Sequence, residues 1–457
     1  MQLSRHTIPC QAALRACALC ALGALCPPLL AAAAPPAPPE RPGHAQPGPD
    51  LNDQPGTDPG PELNKKRSED AGAPAWELSG FGTLGVVHAD TRQADFVLSN
   101  LKARGAGASR STSAAVDSRL GAQLDLTLGA GWSGVLQVIS EQRSDGSFRP
   151  HVEWANLKYQ LTPDLSLRAG RIALPIFMAA DYRKVGYAMP MLRTAVEVYS
   201  SVPVSNNDGV DLSYRWRAGA VKSVTQVFYG HTSFRLADAS SIKGRGLAGL
   251  SNSFNVGDVS GRFGVFTGKL DIGLGDALFD GLRQFGPAGQ ALAAQHEIHD
   301  KRVNLATLGA TYDPGAWFVA GEVSRFNTHG FIGNSATRAV NGGYRLDAFT
   351  PYLGYASVRA LRPTSDPGLP TAGLPPPLAA AAGALNAGLN QLLRIAPDQS
   401  TLSAGLRWDL VANAALKVQY DRVRPRKGSP GSFLAVQPGF RSGQTVNVTS
   451  AALDFVF

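Results

Sequence analysis

Cysteine is confined to one end of this chain: Cys10, Cys17, Cys20 and Cys26 are the only four. Once that segment is set aside, no disulfide and no thiolate metal site can form. Charge is scarce too. Asp, Glu, Lys and Arg make up 17% of the 457 residues, against about 25% in an ordinary soluble domain. Beyond the first 35 positions there is no run of roughly 20 apolar residues, which excludes a bundle of membrane-crossing helices. What the chain has instead is 50 Gly, 32 Pro and a mean hydropathy near zero. That mixture suits a membrane barrel, whose strands alternate lipid-facing and water-facing side chains.

The cysteine-bearing start reads as a secretory signal peptide over 1–33. Arg5 and Arg15 form its basic region, Ala16 to Leu30 its apolar core, and Ala31 to Ala34 offer a small-residue cleavage site. Pro35 favours a cut after Ala33, and bulky Leu25 argues against lipid attachment at Cys26. Residues 34–75, rich in Pro, Gly and Asp, cannot bury enough apolar surface to offset their ordering entropy and are expected to form a disordered periplasmic tether. The part expected to fold, 76–457, holds 37 basic and 28 acidic side chains, an excess of nine. Loops that meet anionic lipopolysaccharide would account for that excess, as would a lumen that favours anions. The basic residues are scattered, with no basic helix or RNA-binding motif, so nucleic acid is not an expected partner.

From Trp76 onward the dominant period is two. Leu120, Ala122, Leu124, Leu126 and Leu128 share one face of a strand, and Arg119, Gly121, Gln123, Asp125 and Thr127 the other. Tight turns alternate with long polar excursions. The turns are Gly129-Ala130-Gly131, Thr162-Pro163-Asp164, Arg217 to Ala220, Gly257-Asp258, Asp313-Pro314-Gly315, Leu346-Asp347-Ala348 and Val411-Ala412-Asn413. Seven turns and eight loops give sixteen strands, so the expected fold is an all-β, transmembrane antiparallel barrel with both ends on the turn side. A thin pattern over 244–270 leaves eighteen strands open. Five of the six tryptophans, Trp76, Trp132, Trp216, Trp317 and Trp408, lie at the first strand's start or near a turn, where an aromatic girdle would sit. Trp154 lies further off.

The last strand ends Leu453-Asp454-Phe455-Val456-Phe457. Leu453, Phe455 and Phe457 on one face resemble the signal by which the barrel-assembly machinery recognises outer-membrane proteins. Trp76 to Thr83, Leu165 to Arg171, and Val185 to Ala188 with Glu197 to Tyr199 likewise resemble Gram-negative outer-membrane porins, in particular their sixteen-strand branch. The resemblance covers 76–457. It implies a homotrimer in the outer membrane, in contact with lipid and lipopolysaccharide, and a water-filled passage narrowed by an inward third loop. Here that loop is 175–205, with Asp181, Arg183, Lys184, Arg193 and Glu197 as the expected constriction charges. Strand parity points Arg119, Lys158, Arg168, Arg215, Lys222, Arg407 and Lys417 into the lumen, with Asp117, Asp125, Asp211, Glu322, Asp409, Asp421 and Asp454 as acidic counterparts. Passive diffusion of small polar or ionic solutes, with a mild anion preference, is the leading expectation. Substrate-specific uptake and an adhesive or structural role are the alternatives.

An enzyme is not expected. Gly244-Arg245-Gly246-Leu247-Ala248-Gly249 matches a nucleotide-binding pattern but opens no helix, and no spacing marks a nucleophile with its base. His296-Glu297-Ile298-His299 falls one residue short of the zinc-protease spacing, so neither metal nor cofactor is expected. Insertions at 271–299 and 361–398 contain two stretches that read as helices, Leu278 to Phe285 and Pro377 to Ile395. They could plug the mouth or cap external loops.

Overall fold

The computed structural model describes residues 74–236 and 240–457. The expected signal segment and nearly all of the expected tether lie outside the described residues. Sixteen long strands follow one another: β1 (Ala75–Ala89), β2 (Arg119–Gly129), β3 (Trp132–Glu141), β4 (His151–Gln160), β5 (Leu165–Ala173), β6 (Asn206–Ala218), β7 (Val221–Arg235) and β8 (Ser241–Val256). The second half comprises β9 (Val259–Ile272), β10 (Ile298–Tyr312), β11 (Trp317–Thr328), β12 (Ser335–Tyr344), β13 (Phe349–Ala360), β14 (Gln399–Val411), β15 (Ala414–Pro425) and β16 (Val446–Val456). Each pairs antiparallel with the next, and β16 returns to β1 from Phe81↔Val456 to Ala89↔Val448. The sheet therefore has no open edge, the condition for crossing a bilayer with strands. The region 244–270 supplies β8 and β9, which pair from Ile242↔Ile272 with a slip between Arg245 and Ala248.

All seven turns fall where the turn residues stand. Gly129-Ala130-Gly131 takes three successive left-handed conformations (φ 80°, 49° and 82°), which only glycine adopts freely at its two flanking positions. At that rim Trp76, Trp132, Trp216, Trp317 and Trp408 all face outward and are exposed, whereas Trp154 is buried. Between the rims the outward face is apolar, with Leu84, Leu120, Leu136, Leu157, Leu308 and Leu353 all exposed. In water such a belt would drive aggregation; lipid is the solvent that suits it. No helix among the described residues is long and apolar enough to cross a membrane.

The eight connections at the other rim are numbered L1 to L8 in chain order. L3, residues 174–205, turns inward and contains the one-turn helix α1 (Val196–Tyr199). Its Ile176, Phe177 and Val198 pack on the inward side chains Phe228, Phe266 and Leu305. L5 carries α2 (Asp276–Arg283) and α3 (Gly286–His296), and L7 carries α4 (Pro376–Leu393). The helical readings of Leu278 to Phe285 and Pro377 to Ile395 thus meet α2 and α4. α3 had no clear forewarning, because Gly286-Pro287 reads as a turn, although proline in a first turn needs no N–H partner. The three helices share a core of Phe279, Leu282, Ala293, Ala382 and Leu389 with Phe331.

Candidate functional site

L3 is the site's scaffold, and it is held by bonds to strands on several sides of the lumen. Arg262 on β9 donates from Nη2 to Asp181 Oδ2 at 2.6 Å and from Nη1 to the Phe177 carbonyl at 2.9 Å. On β10 the Thr307 hydroxyl donates to the Ile176 carbonyl, and on β11 Glu322 accepts the Met178 N–H at 2.8 Å. The Leu192 N–H donates to the Tyr352 hydroxyl on β13 at 3.1 Å. From β14 Arg407 donates to the carbonyls of Tyr187 (2.8 Å) and Met189 (3.0 Å), while its guanidinium lies over the Tyr187 ring. Lys417 on β15 is wholly buried; its Nζ meets the carbonyls of Gly186 and Met189 and pairs with Asp454 at 2.8 Å. Buried charges persist only when paired and hydrogen-bonded, and these are.

The five expected constriction charges sit in unlike surroundings. Arg193 reaches Asp117 through Nη2 (2.8 Å) and Nε (3.2 Å), Asp421 through Nη1 (3.1 Å) and the Ser450 hydroxyl at 2.5 Å. Burial opposes its charge, but Asp117 and Asp421 outweigh that and hold its pKa above the ordinary arginine value. Arg193 is therefore a neutralised tie between L3 and the wall. Glu197 is likewise buried, accepting from Gln399 at 2.8 Å and from Thr401. Burial raises its pKa. Lys184 pairs with Glu141 at 2.5 Å, and Lys102 of L1 joins the same carboxylate at 3.2 Å. Burial lowers the Lys102 pKa to about 8. Arg183 differs: among the described residues its guanidinium has no ion pair and no side-chain hydrogen bond, and burial lowers its pKa against the attraction of Glu153, Tyr199 and Glu141. Its carbonyl accepts from Arg119 Nη1 at 3.4 Å, which brings a second guanidinium alongside.

Arg119, Lys158, Arg168, Arg215, Lys222, Glu322, Arg407 and Lys417 alternate along their strands with exposed apolar residues. Leu120, Leu157, Leu167, Tyr214, Val227, Val323, Trp408 and Val418, one place along or alternating with them, are the exposed outer residues. Arg168 pairs with Asp211 at 2.9 Å, and Arg215 donates to the Pro163 carbonyl at 2.7 Å near the turns. Lys158 has a partner, and Lys222 is exposed. Arg119, Arg407, Lys417 and Glu322 meet L3 as described; Lys158, Arg168, Arg215 and Lys222 lie on β4 to β7. Sequence reasoning missed Arg262 and Tyr352, though both follow the same parity. The C-terminal residues close the barrel: Phe457 exchanges backbone hydrogen bonds with Gly80 at 2.8 and 3.0 Å, and the Phe455 and Phe457 rings stack at 6.4 Å. Leu453 pairs with Leu84.

Motifs that might have signalled other chemistry are accounted for. Gly244 to Gly249 lies within β8, and its irregular stretch is a strand slip. His296 pairs with Asp366 (2.9 Å) and His299 with Asp276 (3.1 Å), so the two imidazoles serve different carboxylates. No cluster of metal-ligating residues occurs among the described residues.

No protein-family model and no curated protein matches the chain. Solved structures do. The outer membrane channel DcaP of Acinetobacter baumannii superposes with a TM-score of 0.51 at 12% identity, over 84% of this chain and 98% of its own. An anion-selective porin from Comamonas acidovorans gives 0.49 at 14% identity, covering 84% and 100%. OmpF of Salmonella typhi, in complex with daunomycin, gives 0.48 at 12% identity, covering 84% and 97%. With sixteen antiparallel strands closed between β1 and β16, an apolar outer belt and an inward L3, this chain has the barrel fold of the Gram-negative outer-membrane porins.

Proposed function

We propose that the protein is an outer-membrane diffusion channel that passes small polar and ionic solutes, with a mild preference for anions. One observation carries the reading: a closed, lipid-suited barrel holds the 32-residue loop L3 inside itself through charged and hydrogen-bonded wall residues. A purely structural or adhesive barrel has no use for such a narrowing, while a channel needs one to set size and charge limits. The anion preference rests on Arg183 and Arg119, guanidinium groups near L3 without a carboxylate ion pair among the described residues. Within a narrow lumen an unpaired charge biases ion occupancy by roughly 1–2 kcal/mol. The basic excess left on the external loops fits contact with lipopolysaccharide. Assembly through Leu453, Phe455 and Phe457 and association into trimers complete the proposal.

Proteoliposome swelling tests it. Vesicles carrying the purified protein are expected to swell in small sugars and amino acids at rates that fall steeply with solute size. Swelling no faster than in protein-free vesicles would reject passive diffusion.

A further inference from the structure

The lumen of a general diffusion pore is polar, yet part of this one is not. Above L3, toward the loop rim, lies a cavity of about 1630 Å³. Its floor is the Ser200 to Val204 stretch of L3, and its walls come from the rim ends of β7 to β11. Leu278 of α2, Leu392 of α4 and the Lys427 to Ser442 stretch of L8 enclose it from above and from the side. Phe234, Leu270, Ile332, Ile395, Leu434 and Val436 all face into it and keep some exposure. Part of the apolar wall is explained by L3 itself, since Phe266 and Val303 share one buried cluster with Ile176 and Phe177. Leu270 and Ile332 also pack against that cluster, and Leu270, Ile332 and Ile395 against the core of the helices, while Phe234, Leu434 and Val436 belong to neither cluster and border open space. Charge in the lining is of one sign: Lys269, Arg394 and Lys427, with no Asp or Glu. Lys269 and Lys427 have carboxylates behind them, Asp300 at 2.6 Å and Asp398 at 3.5 Å. Arg394 is exposed and, among the described residues, has no ion pair or side-chain hydrogen bond.

We propose that this vestibule binds amphipathic organic anions, aryl or medium-chain alkyl carboxylates, before they pass L3. The apolar body lies against the Phe234–Ile332 wall, and the carboxylate pairs with Arg394, whose planar fork suits bidentate binding. An apolar cation is repelled by the Arg394 guanidinium and meets no carboxylate in the lining, and a short carboxylate finds the charge without the surface. The cavity thereby raises the local concentration of the solutes that the proposed anion preference already favours. The inference rests on the channel reading for its purpose, though not for the binding itself.

The test uses 3-phenylpropanoate as probe, with propanoate and 3-phenylpropylammonium as controls, added to both sides of a planar bilayer holding the purified full chain. 3-Phenylpropanoate is expected to interrupt the KCl current at concentrations roughly tenfold below either control, the gain that burial of an aromatic ring supplies. Arg394→Gln and, separately, Val436→Ser are expected to weaken that block several-fold. Equal block by all three compounds, or block unchanged in both variants, would overturn the inference while leaving the channel intact. Calorimetry on the same protein in lipid nanodiscs, corrected with empty discs, reads binding without conductance. Selective heat in a protein that passes no current would sink the channel reading and keep the site; no selective heat would sink the site.

Discussion

Arg193 shows how far a residue's meaning depends on partners distant in sequence. Its charge is legible; that Asp117 and Asp421 neutralise it is not, since 76 and 228 residues separate them from it. Truncating it strands two buried carboxylates, a loss of about 3–5 kcal/mol for a broken buried pair. Arg193→Gln is therefore expected to lower the barrel's unfolding temperature and expose L3 to proteases, with little change in ion selectivity. Arg183→Gln is expected to do the reverse, moving the reversal potential toward cations at nearly unchanged stability. Equal effects from both would show that the two side chains share one role. Lys102 adds a pH dependence. Burial lowers its pKa to about 8, so its positive charge is present at neutral pH and lost as pH rises through that value. Anion preference is thus expected to fall between pH 7 and pH 9, and Lys102→Met should remove that part of the change. A preference that grows over the same range would contradict the assignment.

At the scale of elements, the seams of the barrel carry the constraints. An added Cβ at Gly80 would lie 2.2 Å from the Phe457 ring, and one at Gly82 would lie 2.3 Å from that of Phe455. Each glycine therefore makes room for the aromatic that closes the barrel beside it. Gly80→Val is expected to expel the Phe457 ring and cost about 1–3 kcal/mol through overpacking. The readout is a lower temperature for conversion of the compact band to the unfolded band on gels, and an unchanged midpoint would show that the ring relaxes freely. The turns and strands were legible because Gly, Pro, Asp and Asn mark each bend and the side-chain period is two. L3's inward course followed only from the resemblance to porins, since nothing in residues 174–205 names the strands it will meet. The vestibule left a faint trace: Phe263, Val265 and Phe266 in β9 put apolar side chains on both faces where a polar lumen would alternate.

For the molecule as a whole, the outer belt and the tryptophan girdle were readable from alternation and spacing alone, and both require lipid. Oligomeric state is not written in that pattern. A trimer is the expectation, and brief cross-linking of outer membranes should yield a band at three times the 48.0 kDa chain mass, less any removed leader; monomer alone would count against it.

The central claim is that L3 narrows an open, water-filled passage that favours anions. It is tested most directly by single-channel recording of the purified protein in a planar bilayer under a KCl gradient. Discrete current steps are predicted, with a reversal potential displaced toward the chloride equilibrium potential. A silent bilayer, or steps that reverse on the potassium side, would contradict it.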